Sequence, residues 1–211
     1  LRIPVNVKGN GGDVAGTGLA ITHTASSVGI LWQTSPDLIM LKDFNSSEQK
    51  VRIRAGSRSG NAVIAAYDGP NATGNILWSW HIWVTDYNPD SSPVANGNVY
   101  NYNGFTWMDR NLGATTATPA NVNTLGLSYQ WGRKDPFPGP SDYKDIPENS
   151  YSSLPIYNAL GTQLTEGAPT GGTGINYVAV SVPDNLANSI LNPMLLYVIG
   201  SPLADWYTKL I

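Results

Sequence analysis

The sequence predicts a β-rich, two-domain chain: an N-terminal β-sandwich followed by a loop-rich α+β domain. Three observations carry this. Only 13% of the residues are charged, about half the usual share, and Leu, Glu and Lys runs that would favour helices are scarce. Gly (22) and Pro (15) are both above average, yet 41% of the residues are hydrophobic, so the chain has a core to bury and is not disordered. Apolar and polar residues also alternate with period two over many short runs separated by turn formers. A chain of 211 residues has room for one large domain or two small ones.

The first run, Leu1-Arg-Ile-Pro-Val-Asn-Val7, sets Ile3, Val5 and Val7 against Arg2, Asn6 and Lys8, and a glycine-rich turn over 9–18 follows. Further strands are expected at 19–22, 28–33, 38–41, 49–55, 61–67 and 76–85. The last two are joined by Asp68-Gly-Pro-Asn-Ala-Thr-Gly-Asn75, a loop of turn formers suited to an antiparallel hairpin. About seven short strands at this spacing suggest a sandwich over 1–88. Residues 89–96, with two prolines and two serines nearby and no apolar periodicity, read as a linker before a second domain over 97–211. There, strands at 99–102 and 105–108 flank Asn103-Gly104, the strongest short hairpin signal. Residues 120–129 read as a short helix or turn. From 136 to 175 the chain is mostly loop, punctuated by Pro136, Pro138, Pro140, Pro147 and Pro155. A strand at 177–182 and a short helix within 184–191 complete the reading.

Several chemistries are disfavoured by inventory. Cys is absent, which removes disulfides and thiolate metal sites. A net charge of -3 argues against nucleic acid as a partner, and the basic run Lys50-Val-Arg-Ile-Arg54 reads as a strand with one wet face. The only histidines are His23 and His81, neither near a nucleophile elbow, so His81 reads as structural rather than catalytic. Without a histidine cluster zinc is not expected, and Asp142, Asp145 and Glu148 surround Lys144 without the glycine a calcium loop would use. No metal or cofactor is therefore assigned. The glycine tracts 9–13 and 171–174 lack the features of a phosphate loop and read as turns. There is no apolar run of membrane-spanning length, so direct membrane insertion is not expected. Neither a signal peptide nor a lipobox precedes the first strand, and we expect a fragment whose targeting segment lies outside these residues.

The aromatics and their flanking charges are more informative. Trp78 and Trp80 share a face with Ile82 and Val84 and read as core, whereas Trp83 points the other way, as a domain contact, a ligand platform or a half-buried residue. The segments Gly104-Phe-Thr-Trp-Met-Asp-Arg-Asn-Leu-Gly-Ala-Thr115 and Tyr129-Gln-Trp-Gly-Arg-Lys-Asp-Pro-Phe137 combine Trp107, Asn111 and Trp131 with Asp109, Arg110, Arg133 and Asp135. Such charges are expected to pair when packed, pinning the two segments side by side as a structural signature rather than an active site. The long loop after Pro136 offers Tyr143, Asn149, Tyr151 and Tyr157, which can stack and hydrogen-bond but are poorly suited to proton transfer. With Trp83 these are the candidate ligand-binding residues; the alternative is that the loop only covers its own domain's core.

The two signature segments resemble those of Bacteroidetes surface lipoproteins and fimbrillin-associated, fimbrial tip-like proteins, and are similar to the start of the Fibrobacter-type major paralogous domain. Residues 60–68 and 76–86 resemble the module that precedes the signature in such proteins, and the likeness covers about 50–137 well and the flanks loosely. The resemblance implies a C-type-lectin-like or formylglycine-enzyme-like second domain and a place at the cell surface, in the outer membrane or a fimbrium. It implies no reaction. The expected function is a non-enzymatic adhesion or fimbrial module, with fimbrial subunits, a glycan or a host matrix protein as partner. The alternatives are a carbohydrate-binding module and, third, a hydrolase of unknown substrate.

Overall fold

The computed structural model describes residues 1, 8–9, 12–13, 24–88, 99–130, 133–139, 154–165, 175–180 and 186–199. The expected strand at 19–22, the linker and most of the first run lie outside them. The chain is strand-rich. After a minimal antiparallel pair, β1 (Lys8–Gly9) and β2 (Gly12–Asp13), come β3 (Ser27–Gln33), β4 (Ile39–Asn45), β5 (Lys50–Ala55), β6 (Gly60–Tyr67) and β7 (Ile76–Val84). β3, β6 and β7 form an antiparallel sheet with β6 in the middle, and β4 and β5 form a separate hairpin. Leu1 exchanges both main-chain hydrogen bonds with Val51 at 3.0 Å, extending the β5 edge.

Every residue of β6 is buried. That follows from its sequence, Gly-Asn-Ala-Val-Ile-Ala-Ala-Tyr, in which both parities are apolar or small, the pattern of a strand covered on both faces. On one face Ala62 and Ile64 pack with Leu38, Ile39 and Val51 from the β4/β5 side, flanked by half-buried Trp80, Ile82 and Val84. On the other, Val63 packs with Trp32, Leu127, Phe137, Ile156 and Ile175. Residues from both sides of the 89–98 segment therefore share one core.

A β-bulge makes this second core. Ile30 and Trp32 have the same parity, so a regular strand would aim both side chains at one face. The register instead shifts between them, pairing Ile30 with Ile64 and Trp32 with Val63. The extra residue, Leu31, turns Trp32 through to the opposite face, where it is fully buried.

Trp78, Trp80 and Ile82 do share a face, but they are half-buried rather than sealed. The reason is that β7 is the edge of its sheet. β8 (Val99–Tyr102) and β9 (Phe105–Met108) form the expected hairpin, with Asn103 (φ 50°) and Gly104 (φ 79°) both left-handed, as a two-residue primed turn requires. In 120–129 only a 3-10 turn forms, Val122–Thr124, capped by Asn121, whose side chain accepts from the Asn123 amide at 3.0 Å. Pro119, the β-branched residues and left-handed Gly126 leave no room for a longer helix. β10 (Asn176–Val180) and helix α1 (Leu186–Leu191) fall where expected, and an unanticipated β11 (Leu195–Ile199) pairs parallel with β10. This βαβ unit explains the unbroken apolar run Leu-Leu-Tyr-Val-Ile, and α1 packs beside β7.

Candidate functional site

The signature segments are built onto the sheet by paired polar groups. Segments 111–114, 125–128 and 136–139 run side by side: the Leu127 amide donates to Leu112 O at 3.1 Å, and Ser128 and Phe137 exchange main-chain bonds of 3.1 and 2.8 Å. The approach is closest at Gly139, where an added Cβ would stand 1.9 Å from Gly126 O. Only glycine fits there.

Asp109 and Arg110 pair with each other through two bonds of 2.6 and 3.0 Å. The Arg110 guanidinium lies 4.5 Å above the Tyr87 ring, which in turn lies 5.7 Å from the Trp83 ring. Trp83 is thus half-buried in a column that ties β7 to residues 109–110. Asn111 donates its side-chain amide to Thr124 O and Leu125 O at 3.2 and 3.3 Å. The expected Arg-carboxylate contact is therefore the neighbouring pair Asp109–Arg110, not a bridge between segments. Arg133 instead donates to Leu195 O (2.6 Å) and Asn192 O (3.0 Å), with its guanidinium 4.9 Å over Phe137. Asp135 accepts from Ser79 Oγ (2.9 Å) and from Lys134 Nζ (2.7 Å). Lys134 also lies 4.5 Å over the Trp78 ring, and burial lowers its pKa against the opposing pull of Asp135.

Ser79, His81 and Asp135 face the same side of β7, which invites comparison with a hydrolytic triad. The bonding is different. Ser79 is 2% exposed and gives its hydroxyl proton to Asp135, while His81 Nε2 sits 3.0 Å from Asn61 Oδ1. Asn61 donates its amide to Gly113 O at 2.7 Å, so its oxygen must face His81 and His81 Nε2 must carry the proton. Burial depresses the His81 pKa to about 4, partly opposed by Asp135. A neutral imidazole donating to an amide is an anchor. It holds residue 113 of the signature against β6.

Among the described residues, the β8/β9 hairpin presents a cluster of exposed aromatic side chains. Its base is anchored by buried Val99, and Tyr100 lies opposite Trp107 with Tyr102 opposite Phe105. The pleat puts these four side chains on one face, and they are 61%, 56%, 68% and 67% exposed in that order. The other face carries the polar Asn101–Thr106 pair, bonded at 2.9 Å. Beside Trp107 opens a cleft of about 710 Å³ lined by Thr106, Asp109, Asn111, Thr116 and Thr124. A smaller cavity of about 240 Å³ lies between Thr34, Asn61, Thr115, Asn123, Leu154 and Tyr157, with no charged side chain in its wall.

Of the sequence-predicted ligand residues, Tyr157 is half-buried, lines the smaller cavity and is stitched to Gln33 by main-chain bonds of 2.8 and 2.9 Å. Tyr143, Asn149, Tyr151 and the signature residue Trp131 lie outside the described residues. Trp107 belongs to the exposed face. Tyr100, Tyr102 and Phe105 were not singled out from sequence, although the Asn-Gly turn sets the register that aligns them. Among the described residues no three His, Asp or Glu side chains are grouped as a metal site would need, and no helix is long and apolar enough to cross a membrane. The chain matches no known family model, no curated protein and no solved structure.

Proposed function

We propose that this chain is a non-enzymatic binding module of a Bacteroidetes cell-surface protein, of the adhesion or fimbrial kind, which presents the β8/β9 hairpin to its partner. The observation that carries this reading is the exposure of Tyr100, Tyr102, Phe105 and Trp107 on one face. Contiguous exposed apolar area on a soluble domain marks a contact surface. Aromatic side chains are the residues that contribute most at such surfaces. In this reading residues 1–88 are the scaffold, and 97–211, C-type-lectin-like and sharing a core with it, displays the contact surface outside the cell. The non-enzymatic part is supported by His81 and Ser79, whose hydrogen bonds are spent on anchoring.

The test is attachment of the purified chain to immobilised host matrix proteins, fimbrial subunits and glycans. Trp107→Ala and Tyr102→Ala should abolish attachment, while turnover of glycoside or ester substrates by the intact chain refutes the non-enzymatic reading. A second reading, a carbohydrate-binding module, is favoured by one feature: Trp107 stands at the edge of a cleft with amide and hydroxyl groups in its wall. A ring face for stacking beside hydrogen-bonding groups suits a sugar.

A further inference from the structure

We infer that the aromatic face of β8/β9 and the cleft beside Trp107 form one binding site for an uncharged oligosaccharide. The inference rests on the reading of the chain as a binding module and assigns that module its ligand.

Charge excludes an ionic ligand first. Residues 99–108 contain no charged side chain. The ionic groups lining the cleft are Asp109 and Arg110, and they neutralise each other. An acidic glycan, a phosphate or a basic peptide would meet no complementary field there. Size then argues against a second copy of the chain. The four side chains expose between 56% and 68% of their surface, which at roughly 150–250 Å² per aromatic side chain is on the order of 500 Å². A stable protein interface needs about 800 Å² from each partner. The four rings alone fall short of a stable dimer's share, and they are large enough for an oligosaccharide of a few rings.

Geometry supplies the fit. Tyr100 and Trp107 form one tier and Tyr102 and Phe105 the next, two residues further along the hairpin, so the tiers are about 7 Å apart. A ligand of several linked rings can rest on both. Its hydroxyls then meet the cleft wall, where Asn111 Oδ1 carries no hydrogen bond among the described residues, while the Thr124 and Thr116 hydroxyls donate to Asn121 O and Thr118 Oγ1 and can only accept from a ligand. The hairpin's opposite face offers no such platform, because it carries Asn101 and Thr106 and no aromatic ring.

The test is titration calorimetry of the full chain with neutral glucan, mannan, galactan and N-acetylglucosamine oligomers. Trp107→Ala, Tyr102→Ala and the distant control Leu160→Ala are run beside the wild type. Binding of at least one neutral oligomer is expected, weakened about tenfold or more by each aromatic substitution, retained in Trp107→Phe and untouched in Leu160→Ala. Near-ultraviolet circular dichroism checks that each variant is folded. Failure of every neutral oligomer to bind at millimolar concentration overturns the inference. So does binding confined to sulfated or uronic acid polymers, or a wild-type dimer that Trp107→Ala converts to a monomer. If the aromatic variants still lose attachment to a matrix protein in that case, the binding-module reading stands while its ligand assignment falls. If attachment is unaffected as well, both fall.

Discussion

Lowering the pH from 7 to 5 should destabilise the fold through His81. Its pKa is about 4 in the folded chain, against 6.5 for an ordinary histidine. The folded state therefore resists protonation while the unfolded chain accepts it. Between pH 6.5 and 4 the unfolded chain binds more protons, so stability falls as the pH falls. The contribution is fully present above the unfolded pKa and fully lost below the folded one. At about 1.4 kcal/mol per pKa unit, the whole effect is about 3 kcal/mol, of which about 2 kcal/mol is already lost at pH 5. Carboxylates elsewhere in the chain also titrate, so the comparison needs a partner that cannot. His81→Gln keeps an N–H where Nε2 donates to Asn61 but has no proton to gain. Urea unfolding at pH 7, 6, 5.5 and 5 should show a steeper loss for the wild type than for His81→Gln, the two curves converging by about 2 kcal/mol at pH 5. Parallel curves, or an imidazole that titrates near 6.5 by NMR, would refute a buried neutral anchor.

Three further changes probe the packing. Phe137→Ala should cost about 3–5 kcal/mol by urea unfolding, because Phe137 is 1% exposed and sits with Trp32, Val63 and Ile156 in the core that joins both stretches of chain. Asp135→Asn should cost about 3 kcal/mol, since it leaves the Lys134 ammonium, largely buried over Trp78, without its carboxylate partner; Lys134→Met in the same background should recover part of that loss. Gly139→Ala, whose Cβ would collide with Gly126 O, should destabilise by about 2 kcal/mol or more, whereas Gly104→Ala should perturb only the hairpin turn, where a Cβ meets no atom within 4 Å.

Much of the fold is legible wherever a strand obeys simple alternation. β5, β7, β8 and β9 lie within a residue or so of the periodic runs, because side-chain parity and turn chemistry there point the same way, and the bounds of β3 and β6 are set by the turn formers that flank their apolar runs. Legibility fails at two kinds of place. One is the bulge at Leu31, where an inserted residue reverses parity and sends Trp32 into a core that alternation denies it. No local composition marks such a bulge. The other is β11, an apolar run without alternation, which only its parallel pairing with β10 identifies as a strand. The half-burial of Trp78 and Trp80 belongs to the same class, since a sheet's edge is a property of topology rather than of a single strand.

The candidate site was legible in its words and not in their roles. Residues 104–137 stand out by residue type, and in the structure Asp109, Arg110, Arg133 and Asp135 are each held by a partner. Trp107, two residues from Asp109, lies instead on the exposed face of the hairpin. The difference comes from the two-residue turn at Asn103-Gly104. It pairs Tyr100 with Trp107 and Tyr102 with Phe105, so one parity of a short hairpin gathers the rings while the other gathers Asn101 and Thr106. Beyond the hairpin the chain bends into the Asp109–Arg110 pair, which seats against Tyr87 and fixes the root from which the rings project. The column Trp83–Tyr87–Arg110 ties β7 to residues 109–110 at the foot of the hairpin. An aromatic face can stay open to a ligand only if its base is held by something other than the rings themselves. Here charge and stacking hold the base, and the four rings stand 56–68% exposed above it.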